Sequence, residues 1–328
     1  MKKMPKSTVL GTGRATPERV LTNADLEKMV DTTDEWIRER TGIERRYIAS
    51  PDDRNSKIAA AACQKALAAA KISAEQIDAI IVATVTGDVV FPSTACYVQE
   101  LIGARHAAAF DLSAACSGFI YGLAMADSLI ATGKARHALV VGSEILSRIV
   151  DWKDRSTCVL FGDGAGAVVL GPASGERGVL DTYLKSDGRL THLLCMPGGG
   201  TNMPLEIAIA ERKNFLYMEG REVFKYAVTA MADASEHILE QNGLTSAEVD
   251  LFIPHQANMR IVSATAKRLN VPMEKVYVNL QNYGNTSAAS IPIAVNEALE
   301  KDALRAGQLC LMVAFGGGLT WASALVRF

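Results

Sequence analysis

The chain has 328 residues, 49% of them apolar, with 34 basic against 36 acidic side chains and a net charge of −2. That length can bury one large core or two fused half-domains, and the charge balance excludes the basic excess of a general nucleic-acid binder. No apolar run approaches the roughly 20 residues of a membrane span, Val9-Leu10 is too short for a signal-peptide core, and the six cysteines have neither CxxC pairing nor metal-ligand spacing; the expectation is a cytoplasmic protein with reduced thiols and no bound metal.

Short apolar runs alternate with longer helical stretches, the pattern of a layered α/β fold. In chain order, a helix is expected over 58–71, then strands over 79–83, 108–112, 138–141 and 165–170. A long helix follows over 220–242, a strand at 251–253 and a helix over 259–269. Strands at 276–278 and 309–315 complete the series. Glycine clusters follow several strands, at Gly162-Asp163-Gly164-Ala165-Gly166, Gly198–Gly200 and Gly316–Gly318. Gly11-Thr12-Gly13 lacks the third glycine of a dinucleotide fingerprint, and Pro17 stands where its helix should run.

An internal repeat organises these elements. Ser73-Ala74-Glu75-Gln76-Ile77-Asp78 leads into the strand at Ile80, and Ser246-Ala247-Glu248-Val249-Asp250 leads into the strand at Phe252. Each is followed by a loop, a helix, a strand and a tight helix start: Cys116-Ser117-Gly118 in the first half, Asn285-Thr286-Ser287 in the second. This alignment equates Asn285 with Cys116 and sets His255 on the loop equivalent to Thr84-Val85-Thr86. Loops of two such halves meet where α/β ligand sites usually lie.

Three residues in that arrangement can carry chemistry. Cys116 sits between a strand end and a helix start, where unpaired N–H groups and the helix dipole favour thiolate and lower the pKa. His255 follows a strand within Pro254-His255-Gln256-Ala257-Asn258. Asn285 is a helix-capping type of residue, and its amide brings a donor. The other five cysteines read as structural.

These motifs, Cys116 in AACSGF, His255 in PHQAN and Asn285 in GNTSAAS, resemble the β-ketoacyl-[acyl carrier protein] synthase III family. So do Thr33–Ile37, Arg40–Ile43, Phe161–Gly166 and Phe315–Trp321, and the resemblance runs over essentially the whole chain. It implies an α/β thiolase fold: two βαβαβαββ halves, 1–175 and 176–328, in a five-layer αβαβα sandwich, working as a homodimer. It implies a Cys-His-Asn triad that joins a short acyl-CoA to malonyl-[acyl carrier protein], initiating fatty acid biosynthesis. No cofactor is implied, acyl-CoA being a substrate.

The same resemblance assigns further roles. The backbone N–H groups of Cys116 and Gly317 would form the oxyanion hole. Thr32, Trp36, Arg40, Arg155, Gly220 and Asn258 would bind CoA, with Trp36 and Arg155 sandwiching the adenine. Gln256, Arg260, Lys267 and Arg268 would meet the acidic carrier protein. Leu160, Phe161 and Phe224 would line the acyl pocket, closed by Phe91 from the partner subunit, whose bulk suggests a short starter such as acetyl. Arg221 departs from family members that carry Asn there. The competing readings are a type III ketosynthase of secondary metabolism or of acyl-CoA condensation, and a non-catalytic thioester-binding subunit. The last should lack a nucleophile, and Cys116 is present.

Overall fold

The central strands bury every residue. Ala79–Ala83, Ala138–Glu144 and Leu309–Gly316 show no exposed position, as strands covered on both faces must. In the computed structural model, which describes residues 4–328, they form the middles of two sheets. The first has the order Ser7–Ala15, Gly164–Pro172, Ala138–Glu144, Ala79–Ala83, Ala108–Leu112; the second runs Leu251–Pro254, Leu309–Gly316, Thr320–Arg327, Gly178–Ser186. Each sheet joins a parallel half to an antiparallel half, and corresponding strands follow the same rule: Ala79 pairs in parallel with Ala138, and Leu251 with Cys310.

Five layers result. The helices Gly118–Ala131 and Ser290–Glu300 fill the middle, where Phe119, Ile120, Leu123, Ile291 and Val295 pack between the sheets. Each such side chain contributes about 1.5–3 kcal/mol through burial. Helix Asn55–Ala70 covers the outer face of the first sheet, and Gly220–Gln241 with Met259–Arg268 cover that of the second. No helix among the described residues is long and apolar enough to cross a membrane. The strand Ser7–Ala15 lies against the Asn55–Ala70 helix. A Cβ at Gly11 would stand 2.3 Å from the backbone nitrogen of Ala70, and one at Gly13 2.4 Å from the carbonyl oxygen of Ala62. These glycines admit a helix, not a nucleotide.

The repeat is visible residue by residue, at one constant spacing. Ser73 and Thr245 each form a capping box, with Gln76 and Glu248. Asp78 and Asp250 each accept backbone N–H groups from the start of the neighbouring strand. A single 3₁₀ turn precedes each central helix, at Ala115–Ser117 and Ser287–Ala289, and its first residue has positive φ both times, 45° and 48°. This register corrects the alignment drawn from sequence. Ala288, not Asn285, is the counterpart of Cys116, and Asn285 matches Ser113. His255 matches Ala83, inside the strand end, rather than the loop at Thr84–Thr86.

The expected strand at 276–278 is reduced to one bridge, between Phe252 and Val276. The Gln256 side chain takes over its pairing. Nε2 donates to the carbonyls of Pro254 at 2.7 Å and Tyr277 at 3.1 Å, and Oε1 accepts from the Asn279 N–H at 3.0 Å. The second sheet therefore has four strands where the first has five.

Candidate active site

Cys116 stands in the turn Ala115–Ser117, just ahead of the helix Gly118–Ala131. Residue 118 must be small, since a Cβ there would approach that of Ala83 to 2.9 Å. The glycine loop after Leu309–Gly316 lies against this turn. A Cβ on Gly316 would be 2.6 Å from the Cys116 nitrogen. Thr320 ties the two together: its Oγ1 donates to the Ala114 carbonyl at 2.9 Å, and its own carbonyl accepts from Ser117 Oγ at 3.1 Å.

His255 ends the ladder of the second sheet, its N–H donating to the Val313 carbonyl at 2.7 Å. The ring is 2% exposed, with Nδ1 2.6 Å from Ser290 Oγ. Asn285 is locked by its neighbours. Its N–H donates to Leu160, its carbonyl accepts from Gly162, and Oδ1 accepts from the Ser287 N–H at 2.9 Å. With Oδ1 occupied, Nδ2 is the end of the amide left for a ligand.

These residues line one cavity of about 980 Å³, together with Gly317. Trp36, Arg40, Arg221 and Arg260 line it as well, so the cavity joins the buried thiol to a basic rim. Three buried groups set its electrostatics. Burial pushes the Cys116 thiol up to about 12, with a Ser287 hydrogen bond opposing and Glu144 adding. Loss of water in the tunnel thus works against the lowered pKa expected of a thiol at a helix start. Burial holds His255 down to about 3, so the imidazole is neutral. Glu144 is raised to about 7 by burial, against hydrogen bonds from Thr86, the Val85 N–H and Thr84. Neither Glu144 nor Ser287 was picked out from sequence; the repeat register is the signal that finds them, since Glu144 and Gly316 end equivalent strands.

The remaining expected residues divide. Leu160, Phe161, Phe224, Gly220, Asn258 and the rim residue Arg260 line the cavity, whereas Arg155 lies outside its lining. Phe224 lies under the Arg260 guanidinium at 5.7 Å, toward the rim. Asn258 caps the helix Met259–Arg268 and donates to the Arg40 carbonyl at 3.1 Å. The guanidinium carbons of Arg40 and Arg155 both lie over the Trp36 ring, at 5.1 and 5.2 Å. Thr32 lies outside the cavity lining, and its Oγ1 is buried without a hydrogen-bond partner. Lys267 stays exposed, whereas Arg268 is paired to Asp233 at 2.7 Å. Gln256 is a correction: at 1% exposure, with its amide spent on backbone groups, it offers nothing to a docking protein. Phe91 is 83% exposed beside Val90 and does not line this chain's own cavity.

Two repeated halves enclosing one tunnel, with a cysteine contributed by the first and hydrogen-bonding side chains by the second, define a condensing enzyme of the thiolase fold. Family models described as 3-oxoacyl-[acyl-carrier-protein] synthase III and its C-terminal part match residues 110–188 and 239–328. A β-ketoacyl-[acyl-carrier-protein] synthase III of Caldanaerobacter subterraneus subsp. tengcongensis is 53% identical, over 98% of this chain and 97% of that one. The crystal structure of 3-oxoacyl-[acyl-carrier-protein] synthase III from Aquifex aeolicus VF5 superposes with a TM-score of 0.92 at 50% identity, covering 98% of this chain and 100% of that one. The priming β-ketosynthase of the R1128 polyketide biosynthetic pathway reaches 0.91 at 36% identity, covering 100% and 98%. The chain belongs to the β-ketoacyl-[acyl-carrier-protein] synthase III family.

Proposed function

We propose that the chain condenses a short acyl-CoA, acetyl-CoA by preference, with malonyl-[acyl carrier protein], giving a 3-ketoacyl-[acyl carrier protein], CoA and CO₂ and so starting fatty acid synthesis. The observation that carries the reading is the convergence of Cys116, His255 and Asn285, from two halves, on one tunnel. The Cys116 sulfur attacks the thioester carbonyl, and the N–H groups of Cys116 and Gly317 hold the oxyanion. CoA leaves with the proton that the thiol gives up. Malonyl-[acyl carrier protein] then loses CO₂, and His255 and Asn285 Nδ2 donate to the enolate oxygen. The enolate carbon attacks the acyl-Cys116, and the released sulfur regains a proton from water. Each such donor is worth roughly 10²–10³ in rate. No step calls for a metal or redox cofactor.

CoA would enter over Trp36, with Arg40, Gly220 and Asn258 along its path and Thr32 nearby. A stacked adenine needs about 3.5–4 Å on each face, so Arg155 must first move off the ring it now covers. Arg260 and Lys267 share a helix face and suit an acidic carrier protein, a match that raises on-rate more than affinity. The exposed Val90 and Phe91 suit insertion into a second copy of the chain, where Phe91 would cap the acyl pocket and limit starter length. We assign the halves to 1–175 and 176–328, and the working enzyme to a cytoplasmic homodimer.

The test is incubation with radiolabelled acetyl-CoA, then a chase with malonyl-[acyl carrier protein], beside Cys116→Ala. Label held covalently by the wild type alone and chased into acetoacetyl-[acyl carrier protein] is the expected result. No label on Cys116 from acetyl-CoA or from any longer acyl-CoA overturns it. Turnover of dodecanoyl-CoA equal to that of acetyl-CoA removes the short-starter assignment. The likeness to a polyketide priming enzyme supports a second reading, priming in specialised metabolism; a preference for a longer or branched starter selects it.

A further inference from the structure

The internal repeat supplies a control for His255 within the same molecule. Ala83 and Gly118 hold, in the first half, the positions of His255 and Ser290 in the second. The two positions touch in both halves. A Cβ at Gly118 would stand 2.9 Å from that of Ala83, and in the second half Nδ1 of His255 lies 2.6 Å from Ser290 Oγ. The half that supplies the cysteine carries an alanine and a glycine there; the half that presents an imidazole to the tunnel carries a hydroxyl behind it.

The direction of that hydrogen bond follows from the rest of the serine's surroundings. Ser290 is buried, and its Oγ also lies 3.5 Å from the backbone N of Gln256. An N–H only donates, so Oγ accepts there. Among the described residues, the one acceptor within reach of the hydroxyl proton is Nδ1 of His255. The partner of one ring nitrogen decides which proton the other carries.

We infer that Ser290 is a positioning residue: by donating to Nδ1 it holds His255 in the tautomer protonated on Nε2, aiming an N–H rather than a lone pair into the tunnel. The inference deepens the proposed function and rests on its assignment of His255 to the enolate oxygen. It divides the two half-reactions. An Nε2–H stabilises the enolate but cannot accept the Cys116 proton, so Ser290 serves decarboxylation and is indifferent to acyl transfer. Burial, which keeps the ring neutral, removes the competing doubly protonated form.

The first measurement is ¹⁵N NMR of the full chain labelled on histidine imidazoles, with His255 assigned by its loss in His255→Ala. A proton on Nε2 and a bare, hydrogen-bonded Nδ1 at neutral pH is the expected result. A proton on Nδ1 overturns the inference without any serine variant. In Ser290→Ala, malonyl-[acyl carrier protein] decarboxylation should fall on the order of 10–100-fold, the scale known for metal-bound histidines that lose the group orienting them. Labelling of Cys116 by acetyl-CoA should keep its wild-type rate. Equal losses in both half-reactions, or no loss in decarboxylation, overturn it. His255→Ala run in parallel separates the failures. If that variant decarboxylates at the wild-type rate, the assignment of His255 itself is wrong; if it is slow while Ser290→Ala is normal, only the role of Ser290 falls.

Discussion

An amide in a tunnel presents whichever end its neighbours leave free. Asn285 has Oδ1 held by Ser287, so Asn285→Asp puts a carboxylate where Nδ2 pointed and should slow malonyl decarboxylation at least as much as Asn285→Ala, roughly 10²–10³-fold. Acyl labelling of Cys116 serves as the control, and an aspartate variant faster than the alanine one refutes the assigned orientation. At this scale Cys116, His255 and Asn285 were legible because each lies in a distinctive motif at a strand or helix end. Gln256 was misread because a polar residue in such a motif looks exposed; only its three backbone partners reveal a buried strut. Ser287 and Ser290 went unnoticed because small polar residues near helix starts are common, and Glu144 because an acid closing a strand looks solvent-facing; the meaning of Ser290 and Glu144 comes from partners far away in sequence.

The proposed oxyanion site needs two elements in register: the turn carrying Cys116 and the glycine loop after Leu309–Gly316. Thr320 spans them. Thr320→Val keeps the shape but leaves the Ala114 carbonyl without its donor, and should lower unfolding free energy by about 1–3 kcal/mol, with acyl labelling slowed further than stability alone explains. Denaturant unfolding and a labelling time course check the pair. In the middle layer, Leu123→Ala should cost about 2–5 kcal/mol, since Leu123 is buried between both sheets, and a loss under 1 kcal/mol contradicts that packing. The central strands were readable as continuous apolar runs, residues 138–141 being the apolar part of Ala138–Glu144. Ser7–Ala15 was not, because Gly11 and Gly13 were weighed only against a dinucleotide fingerprint, when they are sites of close helix approach. The strand expected at 276–278 failed for the opposite reason: its apolar pattern is real, but a side-chain amide took its partner.

For the molecule as a whole, two buried groups shape stability against pH with opposite signs. His255 has its folded pKa lowered to about 3, so its contribution is present above its ordinary value near 6.5 and is lost as pH falls from there toward 3. Glu144 has its folded pKa raised to about 7, so its contribution is present below about 4.5 and is lost as pH rises through 7. Glu144→Gln should therefore gain on the wild type between pH 4.5 and 7, by at most about 3 kcal/mol. Urea unfolding of both proteins across that range measures it, and a gain that shrinks with rising pH means the carboxylate is not raised. The two-half architecture was the most legible property of all, because the strand-start aspartates and their capping boxes survive in both copies. The exact match of halves was not, since Asn285 and Cys116 each stand near a helix start and invite pairing, until the positive-φ residues Ala115 and Ser287 fixed the register.

Two frames related by a repeat should offer two equivalent nucleophile positions, yet among the described residues only the first holds a cysteine. Glu144 ends its strand where Gly316 ends the equivalent one, and Ala288 stands where Cys116 would stand in a twin. Around that twin position the Glu144 carboxylate is gripped by Thr84, Thr86 and the Val85 N–H, and a Cβ on Gly142 would come within 2.1 Å of the Ala288 carbonyl. The second mould has been poured solid. Its filling buttresses the floor of the working chamber, so the two halves have become a vessel and its foundation, and neither can be exchanged for a second copy of the other.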